Sequence, residues 1–260
     1  MKFSSGRSKP SRSPGMQNES VPPGKFLTAE WRHLLMLNYP VERELLEPLV
    51  PAGTALDTYK GQAYVSIVAF LFHKTRLLGV PVPFHQDFEE VNLRFYVRRF
   101  SGDDWRRGVV FIKEIVPKPA IALVARSVYN ENYVSLPMRH SLEMRTDGAL
   151  AAVEYGWEFN SRWNSARARL SGDFRTTAPA SLEEFIAEHY WGYAAQKDGS
   201  CVEYQVEHPR WRVSAVSDVT LDCDTAGLYG EAFAPTLRNA PSSAFVAEGS
   251  AVTVFKCVRL

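Results

Sequence analysis

The sequence predicts a mainly β fold, β-rich α+β, with a few peripheral helices. Three observations carry this. Runs of alternating apolar and polar residues recur along the chain, and turn residues separate them. Only short stretches carry a helical period. The longest apolar run, AYVSIVAFLF at 63–72, is about half of what a membrane-spanning helix needs, so it reads as a buried strand.

In chain order, residues 1–24 are rich in Ser, Pro and basic side chains, with almost nothing to bury. They read as a disordered tail, with an organelle transit sequence as the alternative. One domain is expected over residues 25–260. Trp31 to Tyr39 reads as a strand, and VERELLEPLVP as a short helix with Leu45, Leu46 and Leu49 on one face. Ala63 to Phe72 is a strand. EEVNLRFYVRR at 89–99 alternates strictly, and SGDD joins it to GVVFIKEIV as a hairpin. Pro119 suits the first turn of a helix running to about Tyr129. Strands follow near 138–145, 151–159 and 166–175. SLEEFIAEHYWGY at 181–193 is the clearest helix, since Ser181 and Glu184 have capping-box spacing. Strands at about 201–207, 212–218 and 250–258 complete the chain.

The formal net charge is +1. Residues 1–24 hold four basic side chains against Glu19, which leaves 26 basic and 28 acidic for the rest. That body is too neutral for a nucleic-acid groove. Three cysteines, Cys201, Cys223 and Cys257, form no C-x-x-C pair, which suits a reducing, cytoplasmic setting. The histidines have no helical metal spacing. Nucleophile elbow, Walker A loop, dinucleotide-binding glycine turn and H-E-x-x-H are all missing from the sequence. No metal, cofactor or membrane partner is implied; a small-molecule ligand and a homo-oligomer both stay open.

Six segments in order, from LNYPVERELLEPLVPAGTALDTYKGQAYVSIVAF and EEVNLRFYV through RRGVVFIKEI, LVARSVYNENY and SLEEFIAEHY to VEHPRW, resemble the YqjF-like family of uncharacterised conserved proteins. That family, of unknown function, is distantly similar to acetoacetate decarboxylase. The resemblance implies a single acetoacetate-decarboxylase-like barrel enclosing a small polar pocket. The decarboxylase's Schiff-base lysine lies in a G-R-E-x-W-G-F-P-K pattern. Here A-R-S-V-Y-N-E-N-Y stands in its place, with Arg126 at the arginine and Tyr133 at the lysine. A phenol forms no imine, so Schiff-base chemistry does not carry over. Lys60 and Lys113 read as surface residues. The pocket glutamate of the decarboxylase matches Glu90.

Glu90, Asn92, Arg94 and Tyr96 share one face of their strand. They are either a solvated face or the lining of a cavity. Glu90 and Arg94, about 13 Å apart along the strand, then need partners from another strand or from a bound anion. Arg126 is a candidate carboxylate clamp and Tyr133 a hydrogen-bond donor; the alternatives are a snorkelling arginine and a core tyrosine. Asp103 and Asp104 are expected to neutralise Arg98, Arg99, Arg106 and Arg107. His208 reads as a buried, tautomer-locked histidine or a proton carrier, and His73 and His85 stay ambiguous. Three functions follow: a binder of a small organic acid lined by Glu90, Asn92, Arg94, Tyr96, Arg126 and Tyr133; an enolising or lyase-like enzyme with Glu90 as base and Tyr133 or Arg126 stabilising the enolate; or a structural, oligomer-forming protein with a filled interior.

Overall fold

Seven β-strands of the chain pair into a closed ring, and four more continue from one of them as a second layer. The computed structural model describes residues 24–102, 104–123 and 130–260. The long strands are β1 (Lys25–Val41), β3 (Ala63–Leu77), β5 (Phe88–Ser101) and β6 (Asp104–Val116), with short β2 (Ala55–Leu56) and β4 (Val80–Pro81) between them. β7 (Tyr133–Ser135), β8 (Met138–Met144), β9 (Leu150–Phe159), β10 (Arg162–Leu170) and β11 (Arg175–Thr176) follow. β12 (Trp191–Ala195), β13 (Cys201–Glu207), β14 (Arg212–Asp222), β15 (Ser243–Phe255) and β16 (Val258–Arg259) end the chain. The helices are short: α1 (Arg43–Leu46), α2 (Leu182–Ala187), α3 (Thr225–Tyr229) and α4 (Ala234–Arg238).

The ring runs β13-β12-β6-β5-β3-β1-β15, and pairing of β15 with β13 closes it. β15 forks: Phe245–Ala247 pair with β14, and Thr253–Val254 pair with β13. From β14 the sheet continues through β10 and β9 to β8. Two apolar clusters result. One, with Leu35, Leu37, Ile67, Leu93, Phe95, Tyr155 and Trp157, lies between the ring and the second layer. The other, with Leu34, Met36, Phe70, Phe72, Phe88, Tyr96, Phe185 and Trp211, occupies the ring interior. β5 is therefore buried on both faces. Val91, Leu93, Phe95 and Val97 pack outward, while Glu90, Asn92, Arg94 and Tyr96 turn inward.

Several elements depart from the sequence expectation. The helix at 181 stops at Ala187, and WGYAA becomes strand β12. There, parallel pairing with β6 outweighs the helical period. Gly108 and Gly192 make that seam possible: a Cβ on Gly192 would lie 2.1 Å from the Tyr204 ring, and one on Gly108 2.7 Å from the Trp191 carbonyl oxygen. β10 begins four residues earlier than read, and β15 seven residues earlier. The short helices α3 and α4 carried too little period to be read. Residues 119–123 are helical; the rest of the helix expected to Tyr129, and the tail at 1–23, lie outside the described residues.

The start of α2 follows its sequence signature. The Glu184 amide donates to Ser181 Oγ at 3.1 Å, and the Glu184 carboxylate accepts from the Ala180 amide at 2.6 Å. Ser181→Ala is expected to cost about 1 kcal/mol, read as a parallel shift of the urea midpoint with an unchanged slope.

Candidate functional site

Every strand of the ring contributes to the wall of one interior cavity of about 230 Å³. β5 supplies Glu90, Asn92 and Arg94; β6 supplies Glu114; Tyr133 of β7 and Glu131 just before it complete the polar end. Tyr204, His189 and His208 stand beside them. Trp31, Phe70, Phe72 and Phe88 form an apolar wall from β1, β3 and β5.

A β-bulge decides which residue of β6 faces in. Pairing with β5 jumps from Leu93↔Lys113 to Arg94↔Phe111, so Ile112 is the extra residue. Val109 and Phe111 face the interior, and without the bulge Lys113 would follow them. With it, Glu114 stands opposite Asn92 on the cavity side and Lys113 pairs beside Leu93. The carbonyl freed at Ile112 accepts from Asn132 Nδ2 at 2.8 Å, and the Glu114 amide donates to the Asn132 carbonyl at 3.1 Å. The same asparagine that stabilises the bulge thus anchors the loop between Glu131 and Tyr133.

Lys113 is half-buried outside the cavity lining, and burial lowers its pKa. Lys60 is exposed. Among the described residues no lysine lines the cavity.

The polar end gathers three carboxyl groups. Glu90 accepts from Asn92 Nδ2 at 3.0 Å and from the Tyr133 hydroxyl at 3.1 Å. Glu131 accepts from the Tyr204 hydroxyl at 3.1 Å, while Glu114 Oε2 is buried with no partner among the described residues. Burial disfavours the ionised forms. It pushes the Glu90 carboxyl up to about 7, against the hydrogen bonds from Asn92 and Tyr133 and the nearby Arg94 charge. Glu131 rises to about 8, through burial and the proximity of Glu90. Glu114 rises well above the carboxylate range for the same reason, with both other glutamates adding to it. Burial and the adjoining carboxyls likewise hold the Tyr133 phenol protonated.

Arg94 lies on the other side of this group. Its Nη2 donates to the carbonyl of Ile186 at 3.2 Å, in the last turn of α2, where carbonyls lack helical partners. Its Nε has no partner, and among the described residues the guanidinium makes no ion pair. His189 stands near it. Arg107 Nη2 lies 3.4 Å from His189 Nε2. Asp57 Oδ2 lies 3.9 Å from the same nitrogen, and Nδ1 is buried with no partner among the described residues. Burial holds the imidazole neutral, at about 4. Arg107 is fixed in turn by Asp57 at 2.7 Å.

Tyr96 is placed differently from its strand-mates. Its hydroxyl is 2.6 Å from Ser66 Oγ, and Ser66 donates to Asn38 Oδ1 at 2.7 Å, a buried chain outside the cavity lining. Arg126 lies outside the described residues. Of the six sequence candidates, the cavity therefore gathers Glu90, Asn92, Arg94 and Tyr133. Reasoning from sequence missed Glu114, Glu131 and Tyr204.

The partners expected for the arginines of the SGDD hairpin also differ. Arg99 and Arg106 pair with Glu203 of β13, and Arg107 with Asp57, because these strands converge behind the hairpin. Arg98 packs over Trp105. His208 is buried, donates from Nδ1 to the Pro209 carbonyl at 2.9 Å and stacks on Trp211, yet also borders the cavity. His73 is 3.0 Å from Asp87 near the surface, and His85 borders the cavity from the β4–β5 connection. Among the described residues no three His, Cys, Asp or Glu side chains are grouped to hold a metal ion. No helix there is long and apolar enough to cross a membrane.

The DUF2071 family model, described as an uncharacterized conserved protein, matches residues 28–251. The uncharacterized protein YqjF of Bacillus subtilis (strain 168) is 27% identical over 217 residues, spanning 80% of this chain and 84% of that protein. The acetoacetate decarboxylase of Legionella pneumophila superposes with a TM-score of 0.62 at 11% identity, covering 95% of this chain and 92% of that one. An acetoacetate decarboxylase-like enzyme from Sphingomonas wittichii RW1 gives 0.62 at 14% identity, with 95% and 99% covered. The enduracididine biosynthesis enzyme MppR, complexed with pyruvate, gives 0.62 at 12% identity, with 94% and 93% covered. The fold is thus acetoacetate-decarboxylase-like.

Proposed function

Since this chain belongs to DUF2071, a family of uncharacterized conserved proteins, we propose that its cavity binds a small organic acid without Schiff-base chemistry. The observation that carries this is Arg94. A buried guanidinium costs free energy unless an anion compensates it. Glu90 supplies only part of that compensation, because burial keeps its carboxyl near 7. A ligand carboxylate completes the pair, bound bidentately as guanidinium favours. Support also comes from the raised carboxyls of Glu114 and Glu131, which present protons to a carbonyl or hydroxyl oxygen on the ligand. MppR is complexed with pyruvate, so 2-oxo acids are the first probes.

The test is isothermal titration with 2-oxo acids and their methyl esters. Arg94→Met is expected to weaken acid binding by about 30-fold or more, since removing one partner of a buried charged pair costs about 2 kcal/mol or more. Equal binding of acid and ester, or unchanged affinity in the variant, overturns the reading.

A second reading rests on the Glu90 carboxyl itself. A carboxyl near 7 in a cavity is poised to move protons at neutral pH. It would take a proton from the carbon beside a ligand carbonyl, and the Tyr133 hydroxyl, released from Glu90 as that carboxyl is protonated, would turn to the enolate oxygen. Deuterium exchange into a bound 2-oxo acid, lost in Glu90→Gln, would establish it. The near-neutral charge of the folded part and three free cysteines fit a cytoplasmic small-molecule protein rather than a nucleic-acid binder.

A further inference from the structure

The ring sets out the cavity's two chemical ends in strand register. Arg94 lies opposite Ser66, Asn92 opposite Val68, Glu90 opposite Phe70, and Phe88 opposite Phe72. Four residues separate Arg94 from the level of Phe70, and six from that of Phe72, which is about 13 and 20 Å along the strand. At the far end Phe72 and Phe88 stack with centroids 4.5 Å apart. Trp31 packs edge-on against Phe70 at 5.3 Å and Phe72 at 5.7 Å. Asn92 and Glu114 stand between the ends, and Glu90 shares the level of Phe70. The volume of 230 Å³ is well beyond what a three-carbon acid fills. Such an acid held at Arg94 leaves most of the aromatic wall uncovered.

We infer that the ligand is an elongated monocarboxylic acid: a carboxylate for Arg94, an oxo or hydroxyl oxygen opposite the glutamate level, and an alkyl or aryl tail against Trp31, Phe70, Phe72 and Phe88. This rests on the organic-acid reading above and narrows it. The tail sets affinity, because it removes the aromatic wall and itself from water together. Val82 and His85 of the connection before β5 border the same cavity. They adjoin Leu78, Val80 and Phe84, which are 59%, 63% and 89% exposed. The apolar end of the cavity thus meets the surface at an apolar rim suited to admitting such a tail.

The test is calorimetric titration of the wild-type protein with pyruvate, 2-oxobutanoate, 2-oxohexanoate, 2-oxooctanoate and 4-phenyl-2-oxobutanoate, with 1-octanol as control. Affinity is expected to rise about threefold per added methylene, with 2-oxooctanoate at least about 50-fold tighter than pyruvate and octanol not bound. Phe70→Leu should flatten the rise with chain length. Affinity that is flat or falls with chain length overturns the tail. If it is flat and still lost in Arg94→Met, the organic-acid reading survives alone. If no acid of any length binds, both fall.

Discussion

At pH 8.5, Glu131→Gln should melt roughly 5–10 °C above the wild type, while at pH 4.5 the two should melt together. The free-energy difference behind this is of order 2–4 kcal/mol, spread over a chain of this size. Glu131 is buried among two other carboxyls and rises to about 8 in the fold, against an ordinary value near 4.5. A carboxyl whose pKa is raised by folding favours the native state fully below the unfolded value. It withdraws that support as pH climbs through the folded value. The window is therefore about pH 4.5 to 8, and stability declines upward across it. Glutamine keeps an acceptor for the Tyr204 hydroxyl and has no charge to bury. Thermal melts of both proteins at half-unit pH steps measure it. A gap independent of pH, or a variant less stable at pH 8.5, contradicts the burial of a titrating carboxyl there.

Gly249→Ala is expected to cost at least about 3 kcal/mol or to prevent folding. Gly249 pairs with Arg32, next to the irregularity in β1 where His33 takes φ 56°. Its own φ is +81°, and a Cβ there would sit 2.0 Å from the Trp31 carbonyl oxygen and 2.9 Å from Leu34 Cδ1. That oxygen belongs to the backbone and cannot swing away. Gly148 separates the two components of the cost. Its φ is +82° with nothing within 4 Å of a built Cβ, so Gly148→Ala should lose only about 1 kcal/mol. Chemical denaturation of both variants decides it, and equal small losses would mean that β1 and β15 do not approach as closely as described.

The strand framework was largely legible, because alternation survives wherever a strand separates two environments. The EEVNLRFYV stretch carried its inward set on its face, and Glu90, Asn92 and Arg94 could be picked from it. Glu114 could not. A bulge changes the parity of a strand, and nothing in GVVFIKEIV marks Ile112 as the extra residue, so the eye falls on Lys113. The irregularity at His33 does the same to β1, moving the inward set from Trp31 to Leu34 and Met36. Glu131 sits between elements, where no period exists. β12 was hidden because WGYAA continues a helical apolar face, and only its partners β6 and β13 make it a strand.

β5 is a partition one residue thick between an outer apolar filling and an inner compartment. Whatever presses on one side of such a diaphragm is felt on the other. A guest seated against Glu90 and Phe88 should slow amide hydrogen exchange in β9 and β10, whose Tyr155, Trp157 and Ala166 belong to the filling behind Leu93 and Phe95, although it touches none of them.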